Sequence, residues 1–204
     1  MAYQSVNPYD GKVLETFDEL TDEQLEKALA TAATCFEKWR HTNFSERAAV
    51  VAKAAAIMRT RIDEFARPVT LEMGKLFDQA RGEVELSADI IDYYAQNAER
   101  FLAPEYLKPS SGEAVVESSP IGVIFGVQPW NFPYYQLARF AAPNLMAGNV
   151  VMVKHAGCVP QGVRIKNEVD RPGPCLHLLG SHPASRPCRS KFCSADRTLL
   201  QCVP

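Results

Sequence analysis

The chain has 204 residues, 47% of them hydrophobic, which is enough to bury one or two domain cores. Its formal net charge of −2 provides no basic surface for a nucleic-acid partner. The N-terminus has neither a basic segment nor an apolar run, so we expect no signal peptide and a cytoplasmic protein. The most apolar stretch, 118–153, contains four prolines, which argue against a membrane-spanning helix there.

The first elements predicted along the chain are the two strands of a β-hairpin. Tyr3–Asn7 and Val13–Phe17 are β-type runs, and Asp10-Gly11 between them is a pair typical of hairpin turns. Thr21 is then a good helix N-cap, because Gln24 completes a capping box with it. The hairpin is therefore expected to lead directly into a helix.

Three amphipathic helices are predicted in the first half of the chain. Each has apolar residues at spacings of three and four, as expected of a helix that packs on a core. The second helix is predicted to begin at Ser45, and the third to run from Phe77 to Phe101. The apolar faces comprise Leu25, Ala28, Leu29, Ala32, Phe36 and Trp39 in the first helix, Ala48, Val51, Ala52, Ala55, Met58, Ile62 and Phe65 in the second, and Ala80, Val84, Ala88, Ile91, Ala95 and Ala98 in the third.

The pattern then changes to strands and one helix. Ala114–Glu117 is a short strand candidate, whereas Ile121–Val127 and Val150–Val153 are continuous apolar runs on either side of a predicted helix, Tyr134–Ala147. Strand–helix–strand units of this kind build parallel sheets covered on both faces. We therefore expect an α/β fold in residues 1–160, with a helical layer and the first βαβ unit of a dinucleotide-binding sheet.

The character of the chain changes again near residue 160. Residues 161–204 hold seven Lys and Arg against three Asp and Glu, whereas residues 1–160 hold 15 against 21. Five of the 14 prolines and four of the six cysteines also lie in residues 161–204, with no sustained apolar period. We expect this segment to be irregular and poorly packed.

The candidate site lies at the carboxyl end of the first βαβ strand, where ligands bind in open α/β sheets. There, Pro129 restricts the loop, Trp130 offers a flat face, and Asn131 offers an amide donor. Lys154 ends the second strand, where it could bind sugar hydroxyls or a phosphate. The same pattern would also suit a core aromatic and a lysine that reaches solvent, and the G-x-G-x-x-G phosphate fingerprint is missing from this segment.

The six cysteines do not predict a metal site or a disulfide framework. Their spacings contain no CxxC pair, and nothing in the sequence suggests secretion. We therefore expect no metal. Cys35, beside the first apolar face, and Cys158, in a loop, are interpreted as partly buried thiols.

The segment Pro129–Pro133, with the strand-ending Lys154 that follows it, resembles the aldehyde dehydrogenase superfamily. The resemblance covers roughly residues 3–160 and corresponds to the N-terminal part of that fold, so the chain is interpreted as truncated. It includes three further segments and is most similar to bacterial NAD(P)-dependent succinate-semialdehyde dehydrogenases. The further segments are Asn7–Gly11, Glu72–Lys75 and Pro120–Val123, and the subfamily similarity comes from Trp39–Asn43 and Lys154–Ala156.

The resemblance implies a role for each residue of the candidate site. Asn131 corresponds to the oxyanion-hole amide, which stabilises the alkoxide formed when a cysteine thiolate attacks the aldehyde. Gln128, Pro129 and Trp130 correspond to positions that line the nicotinamide side of the cofactor site, and Lys154 to the lysine that holds the adenosine ribose. The cofactor is therefore NAD or NADP, and the substrate a small aldehyde that is oxidised to its acid.

Two further implications concern cofactor choice and assembly. Many NAD-preferring members of the family have a glutamate three residues after the ribose-binding lysine, but this chain has Gly157. A 2′-phosphate would therefore meet no repelling carboxylate. Residues 112–119 correspond to the start of the oligomerisation strand, which implies a homo-oligomer in the family.

The family reaction also needs a nucleophilic cysteine, a glutamate base and a pyrophosphate-binding segment, and none is recognisable in this sequence. We therefore expect the chain alone to be inactive and to bind NAD(P) more weakly than about 1 mM. Two alternatives are a non-catalytic fragment that associates with full-length subunits and a sequence artefact without a stable fold. An incomplete sheet would expose apolar surface and favour aggregation.

The simultaneous change of pattern and charge near residue 160 suggests a shift of reading frame. We predict that an alternative frame downstream of codon 160 encodes an amphipathic helix and, later, a Gly-Gln-x-Cys motif. Sequencing the gene tests this hypothesis. Stop codons shortly after codon 160 in both alternative frames would rule it out.

Overall fold

The computed structural model describes residues 3–161, together with the backbone of 177–178 and 201–203. In this part of the chain, none of the helices is both long and apolar enough to cross a membrane. The described helices and strands are, in chain order, β1 Tyr3–Val6, β2 Val13–Phe17, α1 Asp22–Trp39, α2 Phe44–Thr60, α3 Ile62–Met73, α4 Phe77–Phe101, β3 Glu105–Leu107, β4 Ala114–Val116, β5 Val123–Val127, α5 Pro133–Met146, β6 Val150–Lys154, β7 His177–Leu178 and β8 Gln201–Val203.

The N-terminal hairpin and the cap of α1 are both confirmed. β1 and β2 pair antiparallel, with Tyr3 opposite Phe17, and Gly11 adopts a left-handed φ of 70° in the turn. Thr21 and Gln24 form the predicted capping box, in which each side chain accepts a hydrogen bond from the other residue's backbone N–H.

The predicted apolar face of α1 is wrong at one position. Leu29 is 44% exposed, whereas Cys35 is buried among the apolar residues of the core. Leu29 and Cys35 lie on opposite sides of the apolar stripe, about 120° apart around the helix, and each is three or four residues from other members of the face. A spacing rule that accepts both intervals cannot decide between them.

The second predicted helix is two helices. Asn43 caps α2 through a capping box with Glu46, so α2 begins at Phe44 rather than Ser45. It ends at Thr60, because the next residue, Arg61, has a ψ of 29° that is not helical, and α3 follows at Ile62. The apolar spacing continues across this junction to Phe65, so periodicity alone cannot reveal the break.

The third predicted helix is confirmed with its bounds, Phe77–Phe101, as α4. It lies at the centre of the helical layer, in contact with α2, α3 and α5. Ala80, Val84 and Ala88 are fully buried in a cluster that also contains Tyr134 of α5. This packing joins the helical layer to the crossover helix of the βαβ unit.

The predicted βαβ unit is confirmed by parallel pairing of β5 with β6, from Val123 opposite Val150 to Val127 opposite Lys154. The two strands differ in burial, because Val150–Val153 are buried but Phe125 and Val127 are exposed. The expectation of coverage on both faces therefore holds for β6 and is wrong for β5. β8 pairs antiparallel with the other edge of β6, and β7 pairs with β8.

The short strand predicted at Ala114–Glu117 is confirmed as β4, which ends one residue earlier, at Val116. It pairs antiparallel with β3, an element that the sequence did not predict because its three residues are too few to show alternation. The prediction of an irregular segment over 161–204 falls almost entirely outside the described residues.

Arg47 binds the carboxyl ends of two helices from a buried position. Its guanidinium donates hydrogen bonds to the carbonyl oxygens of Arg40 (3.2 Å) and Thr42 (2.8 Å) after α1, and of Met146 (3.0 Å) at the end of α5. Burial lowers the pKa of Arg47, and the charge of Glu46 opposes this shift. The group nevertheless stays protonated at neutral pH, so a full positive charge faces both helix ends.

We predict that Arg47→Met lowers the free energy of unfolding by about 2–4 kcal/mol, because buried carbonyl oxygens lose their donors. The matched control is Arg59→Met, which removes a surface arginine paired with Asp89 and Asp92 and should cost less than about 1 kcal/mol. Urea unfolding followed by circular dichroism measures both. Equal shifts in the two variants would contradict the capping role.

Gly126 allows α5 to pack closely on β5. A Cβ atom at this position would lie 2.6 Å from two ring atoms of Phe140 and 2.9 Å from Nε2 of Gln128. These distances are well inside van der Waals contact, so a larger residue would force the ring or the strand to move.

We predict that Gly126→Ala destabilises the chain by about 1–3 kcal/mol through this overpacking. Gly82 lies in α4 with nothing within 4 Å of its would-be Cβ, so Gly82→Ala should stabilise by up to about 1 kcal/mol. The two substitutions add the same methyl group, and their unfolding midpoints in urea should move in opposite directions. A shift of the same sign would show that packing against Phe140 is not tight.

Candidate functional site

The loop between β5 and α5, residues 128–132, lies at the carboxyl edge of the parallel strands. The backbone N–H of Gln128 donates to the carbonyl oxygen of Lys154 at 2.8 Å, which joins the start of the loop to the end of β6. The last pair of the β5–β6 ladder is Val127 with Lys154. The structure therefore brings the two halves of the predicted site together at one edge of the sheet.

The side chains of the loop differ in exposure. Gln128 is buried, whereas Pro129, Trp130 and Asn131 are exposed, Trp130 to 56%. Lys154 is half-buried. The alternative interpretation of Trp130 as a core aromatic is therefore wrong, because its ring faces outward at the edge of the sheet.

The N-terminus of α5 is capped by a carboxylate from another helix. Phe132, the N-cap residue, makes no side-chain cap, and Pro133 has no N–H to donate. Oε1 of Glu83, on α4, accepts hydrogen bonds from the backbone N–H of Tyr134 at 3.0 Å and of Tyr135 at 3.5 Å. The carboxylate thus satisfies donors that have no partner within the helix.

Lys75 completes this arrangement. Its ammonium forms an ion pair with Glu83, donates to the carbonyl oxygen of Asn131 at 3.4 Å, and lies 3.8 Å from the ring centroid of Phe132. The sequence interpretation assigned no role to Lys75 or Glu83. A signal was present for Glu83, since a carboxylate between Ala80 and Val84 interrupts the apolar face of a long helix.

Two ionisable groups near the site are poor candidates for catalysis. Burial raises the pKa of Tyr134 well above its usual range, and the charges of Glu72, Glu83 and Glu64 add to the shift, so the phenol stays neutral. The interpretation of Cys158 as a partly buried thiol is wrong, because its side chain is exposed. Desolvation by its surroundings nevertheless raises the pKa of the thiol, which leaves it protonated at neutral pH and a weak nucleophile.

Glu72, in the segment 72–75, connects three parts of the chain. Its Oε1 accepts hydrogen bonds from the Ser5 hydroxyl at 2.7 Å and from the Gln161 backbone N–H at 2.8 Å. It therefore ties the N-terminal hairpin and the residues after β6 to α3. Among the residues that the structure describes, no group of three or more His, Cys, Asp and Glu side chains could hold a metal ion.

Comparisons with known proteins agree with this architecture. A succinate-semialdehyde dehydrogenase (NADP(+)) of Deinococcus radiodurans is 43% identical over 159 residues, which are 78% of this chain and 33% of that protein. A probable succinate-semialdehyde dehydrogenase (NADP(+)) of Synechocystis is 42% identical over 161 residues, which are 79% of this chain and 36% of that protein.

Solved structures give the same result. The crystal structure of succinic semialdehyde dehydrogenase from Streptococcus pyogenes, in complex with NADP+ as the cofactor, matches with a TM-score of 0.77 and 44% identity. The match covers 80% of this chain and 36% of that one, so the chain spans about a third of the length of the relatives it matches. The model of the aldehyde dehydrogenase family matches residues 1–164, and the chain belongs to that family, as its sequence motifs predicted.

Proposed function

We propose that this chain supplies the oxyanion-hole amide and one edge of the cofactor site of an enzyme that oxidises succinate semialdehyde with NADP or NAD. The observation that supports the proposal is that the exposed Trp130 and Asn131 belong to a loop whose first residue, Gln128, is hydrogen-bonded to Lys154 at the carboxyl edge of a parallel sheet. This is the edge at which α/β sheets bind ligands. The substrate is chosen because the relatives named above are succinate-semialdehyde dehydrogenases.

In the proposed reaction, a cysteine thiolate attacks the aldehyde carbonyl, and negative charge develops on the carbonyl oxygen. The amide of Asn131 donates a hydrogen bond to that oxygen and stabilises it more as the charge grows. One such donor typically contributes about 2.7–4 kcal/mol to lowering the barrier. The nucleophile would have to come from outside residues 3–161, because neither Cys35, which is buried, nor the protonated Cys158 suits the role.

The residues at this edge suit a dinucleotide. Lys154 offers a cation for ribose hydroxyls or a phosphate, and Trp130 offers an exposed flat surface. When bound, the cofactor supplies the hydride acceptor for the oxidation. Gly157 is exposed and brings no carboxylate near Lys154, so we propose that the 2′-phosphate of NADP is accepted as readily as the hydroxyl of NAD.

A second proposal concerns assembly. Among the described residues, β3 and β4 form a two-stranded sheet, and this hairpin exposes apolar side chains, among them Tyr106, Leu107, Val115 and Val116. Apolar surface on an unpaired strand edge favours association with another chain. We infer that residues 112–119 contribute to a contact between subunits, which also keeps open a role as a non-catalytic partner of full-length subunits.

A chimera tests the catalytic proposal. We predict that residues 1–160 of this chain, exchanged for the matching region of the Deinococcus radiodurans relative, give an enzyme that oxidises succinate semialdehyde with NADP. In that chimera Asn131→Ala should lower kcat by about 100–1,000-fold. Lys154→Met should instead raise KM for NADP, since it removes a contact made equally before and during reaction.

The matched control is Asn97→Ala. The side-chain amide of Asn97, on α4, donates a hydrogen bond to the carbonyl oxygen of Tyr93 in the same helix, so its loss should leave kcat unchanged. The chain alone, assayed under the same conditions, should give no turnover. A folded chimera in which Asn131→Ala keeps kcat within twofold would refute the oxyanion role.

A further inference from the structure

The ion pair of Lys75 and Glu83 is buried directly behind the candidate site. The side chain of Glu83 is 1% exposed and that of Lys75 is 12% exposed. Two charges in such a position carry a desolvation cost, and an apolar pair of similar size is often at least as stable. The helix cap accounts for the carboxylate of Glu83, but it does not account for a buried ammonium beside it whose other contacts are with the loop.

The contacts of the pair are divided between the loop and the helix that follows it. Glu83 uses Oε1 for the backbone N–H groups of Tyr134 and Tyr135, and Oε2 for Lys75. Lys75 reaches the carbonyl oxygen of Asn131 and the face of the Phe132 ring. The pair thus holds the backbone on both sides of Pro133.

The rest of the loop has little to hold it. Gln128 is joined to Lys154 through its N–H, but Pro129 has no N–H to donate and Trp130 is exposed. The position from which the Asn131 side chain extends therefore depends on how its own backbone is held. The Gln136 N–H binds the carbonyl oxygen of Phe132 at 2.9 Å, and the Lys75 ammonium, which Glu83 in turn orients, binds the carbonyl oxygen of Asn131.

We propose that Lys75 and Glu83 are positioning residues that hold the backbone at Asn131 and Phe132 in one conformation. The pair touches neither substrate nor cofactor and acts through the loop. The effect of the pair on catalysis rests on the function proposed above, because an oxyanion donor is effective only when it is held in place before the charge develops. The effect of the pair on the conformation of the loop is independent of that function.

The test is backbone NMR relaxation on the full chain, read at the N–H groups of Trp130, Asn131, Phe132 and Tyr134. In Lys75→Met we expect the order parameters of Asn131 and Phe132 to fall from about 0.85 to below about 0.6, while those within α1 are unchanged. Lys75→Arg should restore them, because a guanidinium can pair with Glu83 and cover the Phe132 ring. The control is Lys12→Met, which removes a lysine from an exposed ion pair with Asp10.

Substitutions at Glu83 separate the two tasks of the pair. Glu83→Gln keeps an oxygen for the N–H groups of Tyr134 and Tyr135 but loses the charge that orients Lys75. It should therefore lower the order parameter at Asn131 while that of Tyr134 is unchanged. Glu83→Ala should lower both. Unchanged order parameters at Asn131 and Phe132 in Lys75→Met and Glu83→Gln, or an equal decrease along the whole chain, would overturn the proposal.

Comparison with the chimera distinguishes this proposal from the function on which it rests. If Lys75→Met loosens the loop but Asn131→Ala leaves kcat intact, positioning stands and the oxyanion role fails. If Asn131→Ala lowers kcat as predicted but Lys75→Met leaves the loop ordered, the oxyanion role stands and positioning fails. With both correct, Lys75→Met in the chimera lowers kcat by about tenfold, changes KM for NADP less than twofold, and is rescued by Lys75→Arg.

Discussion

Helix α5 is held between two buried charges of opposite sign, and the arrangement of the site depends on them. The carboxylate of Glu83 meets the N–H groups at its N-terminus, and the guanidinium of Arg47 meets the carbonyl oxygen of Met146 at its C-terminus. Each charge has the sign that the helix dipole favours at that end. Both come from the helical layer, Glu83 from α4 and Arg47 from α2, so this layer fixes the crossover helix along its axis.

Fixing α5 also fixes the edge of the sheet. The helix lies between β5 and β6 in the chain, so one loop joins its N-terminus to β5 and another joins its C-terminus to β6. At one end lies the segment with Trp130 and Asn131. At the other, Gly148 adopts a φ of 91° where an added Cβ would meet the Arg47 guanidinium at 2.8 Å. The glycine is therefore required both by its backbone conformation and by the close approach of the charge that caps α5.

The sequence predicted the features that depend on nearby residues and missed those that depend on how distant elements pack. The capping box at Thr21, the bounds of α4 and the parallel βαβ unit follow from signals within a few residues or from a regular apolar period. The short strand β3 and the junction at Arg61 leave no such signal. The exposed positions of Trp130 and Asn131 agree with the motif that identified the family, whereas the pairing of Lys75 with Glu83 depends on how α3, α4 and α5 pack, which periodicity does not specify.

An exposed amide is a poor catalyst unless its direction is fixed, since water competes for it and its side chain can rotate. If Asn131 has the proposed role, apolar packing cannot hold it in place, because the residue must stay open to the substrate. Contacts to the backbone can, and here the Lys75 ammonium lies 3.4 Å from the Asn131 carbonyl oxygen and over the Phe132 ring. A buried carboxylate that caps α5 and also orients an ammonium toward the loop meets both needs with one pair of side chains. In the proposed site, the desolvation free energy of burying Lys75 and Glu83 is therefore spent on fixing the backbone of the loop at Asn131, where position matters more than stability.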